Sequence, residues 1–254
     1  MSQIYLWPTW LIIVFEVVIF VVPAVGGHMI VRRFVPHPIL AKHNEVTGFV
    51  LAIVGVIYAV LLAFVVIIAW EAFNQAATGA RAEFSAASDL YRLSETYPGA
   101  RARELRAEIL NYAQSIEHDE WPAMQRGGEA ESTRASARRI SELTVAMIDD
   151  DPRPREAVDN AVLGALRSFL DAQRNRLAEN EEGIPSSLWA GLVVGAIITI
   201  AFTYLFGAED FRLQLVVTAL LASLVALMFA MIVALNYPYR GVTAISPAMW
   251  RQLH

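Results

Sequence analysis

No charged residue stands between Gly48 and Trp70 in the stretch GFVLAIVGVIYAVLLAFVVIIAW, and the chain then runs straight into EAFNQAATGARAEFSAASDLYRL. The first part is long and apolar enough to cross a hydrocarbon layer of roughly 30 Å, which takes about 20 helical residues. The second has the mixed composition of a helix in water. Apart from Gly55, neither glycine nor proline interrupts Leu51–Phe73. These residues predict one helix that leaves the membrane at Trp70–Glu71 and continues as the first helix of a water-exposed domain. At about 1.5 Å per residue, a rod from Gly48 to Tyr97 reaches roughly 75 Å. Such a rod couples membrane and soluble parts and suits the axis of a symmetric oligomer.

Three further apolar runs, Ile4–Val25, Leu188–Phe206 and Leu213–Leu235, join Phe49–Trp70 to predict four spans. A hydrophobic content of 56% and a mean hydropathy of +0.44 belong to a membrane protein. The first run lacks the basic start and small-residue cleavage site of a secretory signal. Trp7, Trp10, Trp70, Trp189 and Tyr237 fall near span ends, where interfacial aromatics belong. The expected class is an all-α integral membrane protein with four transmembrane helices and a helical bundle inserted between the second and third. Residues 1–70 then hold two spans and a basic loop, 71–185 the extramembrane bundle, 186–235 two more spans, and 236–254 a C-terminal tail. Within the bundle, helices are predicted over Glu71–Tyr97, Gly99–Arg126, Glu129–Ile148 and Pro154–Glu182, cut by YPGA, RGGE and DDDPRP. Leu105, Ile109, Tyr112 and Ile116 recur every three to four residues and mark one core-facing stripe.

A net charge of -5 argues against a nucleic-acid partner, and the absence of cysteine removes disulfides, thiolate metal sites and cysteine nucleophiles. No phosphate-binding loop, nucleophile elbow, HExxH or dinucleotide fingerprint is present. The sequence therefore points to no enzyme, no cofactor and no metal centre.

Glu16, an acid inside WLIIVFEVVIFVV, is the most conspicuous single residue. A mid-bilayer carboxylate is costly unless protonated, paired or wet, so it marks an ion path or proton relay, or is a protonated carboxyl bonded to a backbone group or Tyr58. Gly48, Ala52, Gly55, Ala59 and Ala63 form a seam of small residues along the second span, fit for close helix packing or for a pore wall. Tyr58 needs a hydroxyl partner in lipid. His28, His37 and His43 crowd the first loop without ligand spacing and read as an interfacial linker. EHDEW, Glu117–Trp121, reads as a solvated face with a tryptophan anchor in preference to a cation site. Arg32, Arg33, Lys42 and Arg212 put positive charge in the short loops, which by the positive-inside rule leaves the bundle outside the cell. Arg167, Arg174, Arg176, Arg240 and Arg251 weigh against that orientation.

GFVLAIVGVIYAVLLAFVVIIAWE, LYRL, EILNYAQSIEHDEWPAM, RNRLAENEEGIPSSLWAGLVVGA and LNYPYRGVTAISPAMW together resemble bacterial membrane proteins with a bestrophin-like domain, in order and over nearly the whole chain. Bestrophins are pentameric anion channels with four membrane helices, a helical cytosolic domain between the second and third, and a hydrophobic neck lined by the second. The resemblance implies a pore lined by Gly55, Tyr58, Ala59 and Leu62, a bundle in the cytoplasm, and chloride as a permeant ion. The phenylalanine-rich neck and acidic calcium cluster of the animal channels are absent from this sequence.

Three functions fit these observations. One is a homo-oligomeric, pentameric ion channel in the inner membrane, with lipid, ions and its own copies as partners. Another is a non-conducting scaffold or signalling protein whose bundle binds a protein partner. The third is a proton-driven stator or energising subunit, for which Glu16 is the only acid inside a span.

Overall fold

A computed structural model of the chain describes residues 9–153, 155–181, 183–241 and 243–253. Regular structure among them is helical throughout: α1 (Thr9–Phe34), α2 (His37–Ala41), α3 (Asn44–Ser94), α4 (Ala100–Ser115), a π-helical turn (Ile116–Glu120), α5 (Trp121–Gln125), α6 (Glu131–Asp149), α7 (Glu156–Glu181), α8 (Ser186–Tyr204), α9 (Phe211–Asn236) and a 3-10 turn (Pro247–Gln252). α1, α3, α8 and α9 are each long and apolar enough to cross a membrane. The fold divides into two compact units, one of Gln3–Glu71 and Ile184–Asn236, the other of Ala72–Gly183 and Tyr237–His254. The boundary at Glu71 falls inside α3, whose 51 residues form one unbroken helix.

The spanning unit is packed inside-out relative to a soluble domain. Val56, Phe64, Ile197 and Leu220 are each more than 60% exposed. Ala24, Ala196, Ala222 and Ala226 are buried, together with the polar Thr199, Thr203, Gln214 and Thr218. Lipid tails are as apolar as leucine, so helices in a bilayer are held by close approach of small residues and by hydrogen bonds between them. Glycines mark those approaches. A Cβ on Gly195 would stand 2.5 Å from the Tyr58 ring, and one on Gly27 2.8 Å from the Tyr204 hydroxyl.

That packing corrects the expected first span and first loop. α1 continues through Pro23, Gly26, Gly27 and His28 to Phe34, so His28, Arg32 and Arg33 belong to a helix and not to a loop. Gly27 serves contact with α8 and breaks nothing, and the missing N–H of Pro23 is tolerated in an apolar helix. Trp7 and the start of the predicted span at Ile4 lie outside the described residues, as does the His37 side chain.

In the other unit, the predicted stripe is buried as a set. Leu105, Ile109, Tyr112 and Ile116 join Leu90 from α3, Ile140 from α6 and Phe169 from α7 in one core. The α7 helix follows its predicted course, with the outermost predicted residues Pro154 and Glu182 outside the described set. Tyr239, Trp250 and Leu253, from the segment read as a tail, are buried in the same core. The Tyr239 hydroxyl donates to the Ala76 carbonyl at 3.1 Å, and the Trp121 indole donates to the Ile245 carbonyl at 2.6 Å. Gly127 is doubly required, with φ +80 and the Arg240 guanidinium 2.8 Å from the place of a Cβ.

EHDEW is likewise corrected. Glu117 is exposed enough to pair with Arg251, but Glu120 and Trp121 are buried. Glu120 lies four residues beyond Ile116, so it continues the buried Leu105–Ile116 stripe through the π-helical turn and turns its carboxylate inward.

Candidate functional site

Within the spanning unit, α3 carries the residues singled out as pore-lining. Ala59 is exposed, and Gly55 and Leu62 are half-buried. Tyr58 is only 5% exposed and is turned into the unit, where its hydroxyl donates to the Leu192 carbonyl of α8 at 3.2 Å. Its ring lies in the space that Gly195 leaves open. A side chain so placed braces α3 against α8. One exposed row of α3 runs through Ala52, Val56, Ala59 and Ala63, spaced four, three and four residues apart and free of charge, beside the larger exposed Ile53, Ile57, Val60 and Phe64.

A second group of residues gathers around His28, which is 1% exposed. The Thr203 hydroxyl donates to the Ile200 carbonyl at 2.6 Å, so it accepts the Thr218 proton at 3.2 Å. With that proton committed, His28 Nδ1 at 3.2 Å is the donor to Thr218. Tyr204 packs edge-on against the imidazole, ring centres 5.3 Å apart. Nearby, Asn44 clasps Gly207 by both backbone groups at 2.9 and 2.8 Å, and Arg32 donates to the Ala208 carbonyl at 3.1 Å. These bonds tie α1, the start of α3 and the α8–α9 connection together. A lone histidine and scattered threonines in apolar runs carry no sequence signal for such a chain.

Glu16 is half-buried on α1, and its Oε2 is buried without a hydrogen-bond partner. Tyr58 does not supply one, since its hydroxyl is spent on Leu192.

The other unit holds a buried charge network. Arg176 of α7 meets Glu83 of α3 through Nε to Oε2 at 2.6 Å and Nη2 to Oε1 at 3.3 Å. It also donates to Glu120 at 3.1 Å, and its guanidinium lies 5.5 Å from the Trp121 ring centre. Tyr112 donates to Glu83, and Glu120 accepts from the Ala130 amide at 2.8 Å. Burial opposes the Arg176 charge, but Glu83, Tyr112 and Glu120 outweigh it and the guanidinium is held firmly charged. Burial first, and then the charge of Glu83, push the Tyr112 phenol well above its usual value. Every partner is satisfied, so the cluster clamps helices and offers no open ligand position. No group of three or more metal-ligating His, Cys, Asp or Glu side chains occurs among the described residues.

A match to the Bestrophin-like domain family covers residues 18–249. The chain belongs to that family. Its fold agrees with crystal structures of variants of a bacterial bestrophin homologue from Klebsiella pneumoniae. For one of these, the TM-score is 0.68 at 11% identity, over 95% of this chain and 97% of that one; another gives 0.63 at 12%, over 95% and 96%. A crystal structure of a membrane protein variant matches with a TM-score of 0.66 at 12% identity and 95% coverage of both chains. No curated protein matches. This bestrophin-like chain is a multi-pass membrane protein, with its family match extending from α1 through α9 and into the Pro247–Gln252 turn.

Proposed function

We propose that the protein is a homo-oligomeric, pentameric ion channel of the inner membrane that conducts anions, chloride among them, through a path lined by the spanning part of α3. One observation carries the reading: in a bestrophin-like fold, the exposed stripe Ala52, Val56, Ala59, Ala63 is uncharged and built mainly from the smallest side chains. Small apolar walls let identical helices approach a common axis, and a narrow apolar constriction gates by shedding water. Gly55 and Leu62 flank the stripe, and Tyr58 supports the wall from behind. The Ala72–Gly183 unit with the C-terminal segment is, in this reading, an extramembrane helical bundle inserted between the second and third spans, on the cytoplasmic side.

Purified full-length protein in planar bilayers tests the reading. We expect unitary currents that reverse with an anion gradient, and Ala59→Phe to lower unitary conductance several-fold while leaving particle size unchanged. Silence across salts and voltages, with a closed axis in a density map of the oligomer, overturns it.

A further inference from the structure

A crevice of about 220 Å³ lies between α1 and α8, lined by Ile19, Phe20, Pro23 and Ala24 on one side and by Val193, Ala196, Ile197 and Ile200 on the other. Its lining side chains are all apolar. Small lining side chains leave it open. Ala24 and Ala196 are too small to fill the gap. Both helices are spans, so the medium that meets this crevice is hydrocarbon.

Glu16 stands three, four and seven residues before Ile19, Phe20 and Pro23 and so shares their face of α1. Its Oε2 is closed off by the protein and has no donor, while the residue as a whole is half-buried, so a ligand meets the carboxylate from its open side. Along the axis the order is the α1 N-terminus, the acid, then the apolar crevice roughly 10 Å beyond it, taken from Glu16 to Pro23. The apolar span runs over Ile13–Phe34, so Glu16 stands about one turn inside its end and not at its middle. A headgroup donor at that level with an acyl chain running down into the crevice matches the order. An intramembrane acid is expensive without a partner, and a primary ammonium supplies both opposite charge and N–H donors, whereas a trimethylated ammonium supplies charge alone.

We infer that the face formed by Glu16 and the α1–α8 crevice is a binding site for a phospholipid with a primary ammonium headgroup. The Glu16 carboxylate accepts the ammonium N–H, and one acyl chain packs between Phe20 and Ala196. This inference is independent of whether the protein conducts.

The test is native mass spectrometry of the full-length protein, titrated with phosphatidylethanolamine or with phosphatidylcholine of identical acyl chains. Retention of the ethanolamine lipid should exceed that of the choline lipid several-fold. Glu16→Gln should bring the two to equality without loss of helical circular dichroism. Ala196→Leu, which fills the crevice and leaves the acid in place, should lower retention of both lipids. Equal retention by the unaltered protein overturns the inference, as does a preference that survives Glu16→Gln. Equal retention combined with a smaller oligomer in Glu16→Gln assigns the acid to a contact between copies instead.

Discussion

Arg176 shows what one buried side chain commits a fold to. Its guanidinium binds two carboxylates, and Glu83 in turn accepts from Tyr112, so α3, α4, the π-helical turn and α7 meet at one charge. Taking one member away leaves the others buried and uncompensated. Arg176→Met should therefore destabilise the unit by about 3–5 kcal/mol, read as an earlier chemical unfolding midpoint followed by tryptophan fluorescence. Tyr112 and Tyr239 add a pH dependence. Burial raises both phenols, and for Tyr239 the charge of Glu179 raises it further. A raised phenol favours the protonated form in the fold, so the stabilisation is complete below the ordinary phenol value of about 10 and is lost as pH climbs above it. Thermal midpoints should be flat from neutral pH to that point and fall beyond it, with a shallower fall in Tyr239→Phe. None of this network was legible beforehand. Glu83 and Arg176 sit among many other charges on amphipathic helices, and spacing alone does not say which charge turns inward.

For the elements, continuity and close approach matter most. The unbroken course of α3 from Asn44 to Ser94 was readable because no proline and few glycines interrupt it and helical propensity persists across the change from apolar to polar composition. Replacing exposed Glu71 with proline removes a backbone donor and clashes one turn back. It should destabilise the protein by roughly 3 kcal/mol or more, visible as a lower thermal midpoint in detergent. The contact of α3 with α8 was not readable. Tyr58 reads from the sequence as a pore-lining candidate, and in the fold its ring fills the space over Gly195. Gly195→Ala should cost about 1–3 kcal/mol through overpacking. Tyr58→Leu in the same background should recover part of that loss, and a double-mutant cycle by thermal unfolding measures the coupling. The extent of α1 is hidden for a related reason: Gly26 and Gly27 look like loop residues until Gly27 is placed against Tyr204 of α8.

At the scale of the whole molecule, the proposed pentamer makes a simple prediction: the purified particle, corrected for detergent, should have five times the chain mass of 28.1 kDa. A monomer or dimer mass removes the ring on which the conduction proposal depends. What the chain's order of residues determined unaided is its class. Spans are set by length and hydropathy, and the cuts at YPGA, RGGE and DDDPRP by glycine and proline, both local quantities, whereas α1 runs through Pro23, Gly26 and Gly27. Family membership was legible as well, through motifs in a constant order. Tertiary structure alone decided which small residues are contacts and which are exposed, and which charges are buried. It alone brought His28 to Thr218 across 190 positions and drew Tyr239 and Trp250 from the C-terminal segment into a core. The physical reason is common to all of these. A buried polar bond or a missing Cβ has its energy only in the presence of a partner distant along the chain, and a single sequence does not name that partner.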